Sequence, residues 1–291
     1  MIISHGLDES IDLDSIKERI SKNPTPILPI DVELQLAEEL VTFPLGQFLL
    51  KNKGLNGFWT AYMILHGPKE KNLSPLESWI VHQSPGFKAT QQRFAIFQRT
   101  LQGLLSDNCH LASVPCGLMD DLLRLDFSSV KNCQLTGIDL DEESLSLAEK
   151  NAKNLGIKHV SFLKKDAWQL AIDNQFDAIT SNGLNIYEPK SNRVIDLYRQ
   201  FYKALKPKGH LVTSFITPPP TLSSKSSWKI DNLDNFMKQA AIFTDIIQAG
   251  WQCFRSESET HQQLEEAGFS VKKVIYDEQC IFPTIVAQKL Q

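Results

Sequence analysis

Residues 134–166 constrain the fold more than any other part of this chain. An apolar run reaches an acid in QLTGIDLDEES, an amphipathic stretch closes on NLGI, and a second apolar run reaches an acid in VSFLKKDAWQL. Two short runs separated by one helix-length segment favour parallel strands joined by a crossover helix. Both acids fall at the carboxyl ends of their runs, the edge of an open α/β sheet where ligands bind. Asp139 stands where a carboxylate accepts hydrogen bonds from a ribose diol, with a helix cap as its other reading, and Asp166 where a second carboxylate meets an adenine amine, with a solvated loop acid as its other reading. The pair outlines half of a site for an adenine nucleoside. Asp141 reads as the N-cap of the intervening helix, whose apolar positions are Leu145, Ala148, Ala152 and Leu155.

The alternation continues on both sides of this unit from about residue 109. HLASVP, QLTGID, HVSFLKK, FDAITS and GHLVTSF read as five strands of a mostly parallel sheet covered on both faces. Val194, Leu197, Tyr198, Phe201, Tyr202 and Leu205 repeat at helical spacing between the fourth and fifth, and LKPKG stops that helix. A helix around ETHQQLEEAG, a strand FSVKKVIYD and the run IFPTIVAQK close the chain as an antiparallel hairpin. Before residue 107 the period is helical: Phe94, Phe97, Leu101, Leu104 and Leu105 share one face, and Ser74 followed by Pro75 opens LESWIVH as N-cap and first turn. The sequence therefore divides into a helical region, 1–106, and an α/β domain, 107–291. The α/β domain carries a helical insertion at about 216–256, where TPPPTLSSKSSW leads into DNFMKQAAIFTDIIQAGW.

Composition narrows the function classes. Hydrophobic residues at 42% and charged residues at 22% argue against extensive disorder, and a net charge of −4 argues against a surface built for phosphate backbones. The five cysteines form no CxxC pair or metal-ligand spacing and read as reduced thiols. MIISHGLDES is no secretory signal, and no segment is long and apolar enough to span a membrane. Cytoplasmic location, no membrane and no nucleic acid are the expectations.

With its flanks, the acid-tipped unit resembles the class I S-adenosylmethionine-dependent methyltransferases. The family usually carries an acid and three glycines after the first strand, of the kind VLDLGCGTG. Here the stretch is LASVPCGLM, with Ser113 for the acid, Pro115 for the first glycine and Met119 for the last; only Cys116 and Gly117 match. Gly117 still allows the backbone to pass beneath the methionine part of a cofactor, while Pro115 removes an amide donor. LKPKGHLV resembles the family turn before the fifth strand. The resemblance covers about residues 107–291. It implies a Rossmann-like sheet, mostly parallel with its last strand antiparallel, and S-adenosylmethionine held by Val114, Cys116, Gly117, Asp139, Leu140, Asp166, Ala167, Ser181, Asn182 and Gly183. Leu140 and Trp168 are candidates to flank the adenine, with core packing as the other reading.

SNGLNIYEPK follows the fourth strand and supplies Asn185, Tyr187 and Glu188 on the acceptor side. Tyr187 has two readings, a hydrogen-bonding residue or base at the acceptor atom and a packing residue of the wall. N-terminal helices in many small-molecule methyltransferases close over the site, which makes the 1–106 region a candidate lid. Trp59, Tyr62 and His82 are its acceptor-binding candidates beside an ordinary packing role, and the same segments supply Trp79, Gln91 and Arg93. The fourth strand ends without the acid that holds a divalent metal in catechol-type enzymes, so no metal is expected. The leading reading is methyl transfer to a small molecule, at oxygen ahead of nitrogen or carbon. A non-catalytic protein keeping the fold and a protein methyltransferase are the competitors, and a homodimer stays open.

Overall fold

The computed structural model describes residues 11–250 and 252–290. In chain order its helices are α1 (Leu13–Ser21), α2 (Ile30–Leu40), α3 (Pro44–Asn52), α4 (Gly57–Ala61), α5 (Pro75–His82), α6 (Pro85–Gln102), α7 (Asp120–Leu123), α8 (Glu142–Asn154), α9 (Ser191–Ala204), α10 (Leu233–Ala240) and α11 (Glu257–Glu266). The strands are β1 (His110–Ser113), β2 (Gln134–Asp139), β3 (Val160–Lys164), β4 (Phe176–Ser181), β5 (Leu205–Ser214), β6 (Phe269–Ile275) and β7 (Thr284–Lys289). They divide into two compact units, 1–91 with 229–252, and 92–228 with 253–291.

The second unit holds the sheet, in the order β3-β2-β1-β4-β5-β7-β6. β1 to β5 pair in parallel, and β7 runs antiparallel to both β5 and β6. Alternation along the strands separates two cores. Ala112, Ile138, Ile179, Leu211 and Ile285 pack with α9 and α11 residues such as Tyr198, Phe201 and Leu264. Their neighbours Leu111, Leu135, Ala178 and Val212 pack with Phe97, Leu101, Leu122 and Ala148. The parallel strands are thus covered on both faces, as their near-continuous apolar sequence requires. The LKPKG turn lies inside β5, where Leu205 pairs with Phe176 and His210 with Ala178, and the residues between bulge out at Lys208 (φ 66°).

The first unit is helical around Leu36, Leu40, Leu45, Leu49, Ile80 and Phe243. Ser74 caps α5 by accepting from the Glu77 amide at 3.3 Å. Two expected boundaries move. The helical unit ends at Gln91 rather than 106, because Phe97 and Leu101 in the second half of α6 bury against sheet residues. Of the 216–256 insertion, residues 229–252 belong to the helical unit. Ile242, Phe243, Ile246 and Ile247 enter its core, Gln239 Oε1 accepts from Ser84 Oγ at 2.7 Å, and Asn235 Oδ1 accepts from Trp79 Nε1 at 2.8 Å.

Candidate functional site

The carboxyl ends of β1, β2, β3 and β4 bring most of the expected cofactor residues to one edge of the second unit. At the tip of β2, Asp139 Oδ2 accepts from the Gly117 amide at 2.9 Å and Oδ1 from the Asp141 amide at 3.1 Å. Gly117 sits at φ 49°, so the β1 loop reaches Asp139 through its backbone. Burial pushes the Asp139 carboxyl up from its ordinary range, and the amides of Asp141, Gly117 and Leu140 oppose that shift. Each oxygen keeps acceptor capacity for a diol. Beside it Leu140 is 52% exposed, an apolar side chain left in water next to a half-buried acid. Asp141 caps α8 through the amides of Glu143 and Ser144.

At the tip of β3, Asp166 Oδ1 accepts from the Trp168 amide at 2.9 Å, leaving Oδ2 outside that turn. Ala167 and Val114 have buried side chains in the core below, so only their backbones are placed for ligand contact. Trp168 is committed to packing: its Nε1 donates to the Arg193 carbonyl at 2.8 Å and Arg193 lies over its ring at 5.1 Å. Cys116 is buried, and desolvation pushes its thiol above the ordinary range, the environment of a packing thiol rather than an activated one. Ser113, which stands in place of the family's acid at the end of β1, meets a carboxylate from α7. Ser113 Oγ donates to both carboxylate oxygens of buried Asp121, at 3.2 and 3.0 Å, and burial pushes that carboxyl up to about 6. Asn151 Nδ2 pins the loop by donating to the Leu118 carbonyl at 2.9 Å.

The loop after β4 is built around Gly183 at φ 84° and the short turn Leu184–Tyr187. Asn182 Oδ1 and Asn185 Oδ1 are buried without a hydrogen-bond partner among the described residues. Asn185 is otherwise an anchor, its Nδ2 donating to Tyr198 Oη at 3.0 Å. Ser181 is buried, and its carbonyl accepts from Thr213 Oγ1. Two buried arginines that sequence reasoning did not place in the site hold this region. Arg255 Nη1 donates to the carbonyls of Asn185 (2.9 Å) and Cys253 (3.1 Å), and its Nη2 donates to the Glu188 carbonyl. Arg93 Nη1 donates to Ser214 Oγ at 3.3 Å, and its guanidinium lies over Phe282 at 4.6 Å. Burial pushes Arg93 down to about 10, with Asp277 and Tyr187 acting in the opposite sense. That displacement from 12.5 corresponds to about 3 kcal/mol of unfavourable burial at neutral pH.

Replacing Gly183 with alanine is expected to cost ~1–2 kcal/mol, because a Cβ strains the left-handed backbone although its neighbours, Arg93 Nη1 and Ile186 at 3.6 Å, leave it in ordinary contact. Urea unfolding measures the loss, and an unchanged midpoint contradicts it. The helical unit's candidates lie among its own side chains. Trp59 packs against Phe48, Phe58 and Tyr62, while Tyr62 Oη donates to Glu77 Oε1 at 3.1 Å and is pushed up to about 12 by burial beside that acid. His82 is exposed.

The family described as a methyltransferase domain matches residues 105–268, more than half of the chain and all of β1 to β5. The chain belongs to this family. Its sheet order, with an antiparallel β7 between β5 and β6, is the class I methyltransferase fold expected from the sequence. A Bordetella parapertussis structure described as a possible exported protein is 40% identical, with a TM-score of 0.91 over 96% of this chain and 94% of that one. A Bacillus halodurans structure with a provisional methyltransferase name shares the fold at 15% identity and a TM-score of 0.50, over 68% of this chain and 99% of that one. YqeM of Bacillus subtilis, also provisionally named a methyltransferase, is 30% identical over 115 residues, 38% of this chain and 44% of that protein. The matched region spans less than half the length of the curated relatives it aligns with.

Proposed function

We propose that this methyltransferase-family protein binds S-adenosylmethionine along the tips of β1 to β4 and transfers its methyl group to a small-molecule acceptor, with oxygen the first choice of acceptor atom. The observation that carries the reading is the β2 tip. A partly buried carboxylate is fixed by two backbone amides, with an exposed leucine beside it. An acid with remaining lone pairs suits a ribose diol, and an exposed apolar side chain suits an adenine face. The unpartnered oxygens of Asn182 and Asn185 support a ligand near the end of β4.

When bound, the cofactor would supply a methyl group on a sulfonium, which the acceptor oxygen would take by in-line displacement of the neutral thioether, its own proton passing to solvent. The chain's part is then to bind and align, and proximity alone supplies much of such an acceleration. Asp139 and Asp166 hold the nucleoside, Gly117 makes room for the amino acid tail, and Arg255 fixes the loop carrying Asn185, Tyr187 and Glu188. Tyr187 stands near the acceptor side as a hydrogen-bonding group. No helix among the described residues is long and apolar enough to cross a membrane. A cytoplasmic location remains our proposal beside the exported description of the Bordetella relative.

Titration calorimetry with S-adenosylhomocysteine tests the site. Asp139→Ala removes charge-assisted bonds to the diol and is expected to weaken binding ~10- to 100-fold. Unchanged affinity in the variant contradicts the assignment. Absence of binding to the wild-type protein favours the non-catalytic reading.

A further inference from the structure

Arg93 carries a charge that the cofactor site does not use. It lies on the buried face of α6, one turn before Phe97, with 6% of its surface exposed. Its surroundings come from three places: Gly183, where an added Cβ would stand 3.6 Å from Nη1; Ser214 at the end of β5; and Phe282, just before β7. Nε has no partner among the described residues, and no carboxylate there forms an ion pair with the guanidinium. Asp277, whose field reaches it, accepts from the amides of Gln279 (3.1 Å), Ile281 (3.2 Å) and Phe282 (2.7 Å), so its lone pairs serve its own loop. Buried charges are normally paired, and an apolar side chain of similar size would be the more stable occupant. A planar guanidinium with an unused donor is instead suited to bind a carboxylate.

The sheet order indicates which carboxylate. β4, β5 and β7 lie on the opposite side of β1 from β2 and β3, whose tips carry the two nucleoside acids. Arg93 therefore faces the half of the edge beyond the cofactor's nucleoside. We propose that Arg93 binds the carboxylate of the methyl acceptor, making the acceptor an organic acid anchored beside the end of β4. This rests on the methyltransferase reading above and names the substrate class of that site.

The test uses full-length protein saturated with S-adenosylhomocysteine, probed by saturation-transfer NMR with acetate, phenylacetate and benzoate, each beside its amide. At least one acid is expected to bind, with its amide ~10-fold weaker or more, and to lose ~10-fold or more in Arg93→Met. Arg93→Lys keeps the charge without the fork and is expected to bind the acid less well than wild type. Arg93→Met should hold S-adenosylhomocysteine within about twofold and melt at the same temperature or a few degrees higher, since it loses an unpaired buried charge.

Equal binding of acid and amide, no acid binding to the loaded wild type, or undiminished acid binding in Arg93→Met overturns the proposal. A loss of S-adenosylhomocysteine affinity in that variant also overturns it, by assigning the charge to the cofactor's own carboxylate. A wild-type protein that never takes up S-adenosylhomocysteine is a separate result, because it removes the transferase reading first and the acceptor with it.

Discussion

Arg255→Met should unfold several degrees below the wild-type protein and detach the loop after β4. Its guanidinium satisfies the carbonyls of Asn185, Cys253 and Glu188, and the Arg255 amide donates to the Ile216 carbonyl at 2.8 Å. Methionine fills the volume but leaves those three carbonyls without their donor. An abandoned buried acceptor costs about 1–3 kcal/mol, so a total of ~3–5 kcal/mol is expected after partial relaxation. That is a fall of ~6–20 °C in melting temperature for a unit of this size. Hydrogen exchange should rise first at the Cys253 amide, which is bonded to the Ile186 carbonyl at 3.1 Å. A variant melting within a degree of wild type, with that amide still protected, would show that the loop holds itself.

Asp121→Asn should stabilise the protein, and only at neutral and higher pH. Burial raises the folded pKa from an ordinary 3.8 to about 6, so the native state retains a proton that the unfolded chain releases. Below about pH 4 both states are protonated and the burial has no electrostatic cost. As pH rises from about 4 to 6 stability declines, and above 6 the full loss of about 3 kcal/mol is present. Asparagine keeps an acceptor for the Leu122 amide and a partner for Ser113 Oγ without a charge to desolvate. Urea unfolding should give equal stabilities near pH 4 and a variant more stable by ~2–3 kcal/mol near pH 8. Burial also raises Asp139, Asp277, Glu33 and Glu77, but these are present in both proteins and cancel from the difference. Parallel stability curves would contradict the account of Asp121.

Much of the sheet was legible because its signals are local. QLTGID and FDAITS form strands over those same residues, and Asp139 stands at the strand tip that its apolar run implied. The unit boundary was not legible, since α6 is one continuous pattern whose two halves bury in different cores. Which unit packs residues 229–252 was not legible for a similar reason: the apolar residues of the insertion announce burial but not the surface that covers them. Asp121 and Arg255 act through contacts with residues far away or on another element, and no periodicity reports those. Arg93 did leave a signal, a charged residue four positions before Phe97 on the buried stripe of a helix.

The central claim is that a nucleoside sits across the tips of β2 and β3, and a crystal structure of the protein with S-adenosylhomocysteine tests it most directly. The account predicts the ribose hydroxyls within hydrogen-bond distance of Asp139, the adenine against Leu140 with its amine toward Asp166, and the amino acid tail passing Gly117. Ligand density at any other edge of the sheet, or at these strand tips without a contact to Asp139, would contradict it.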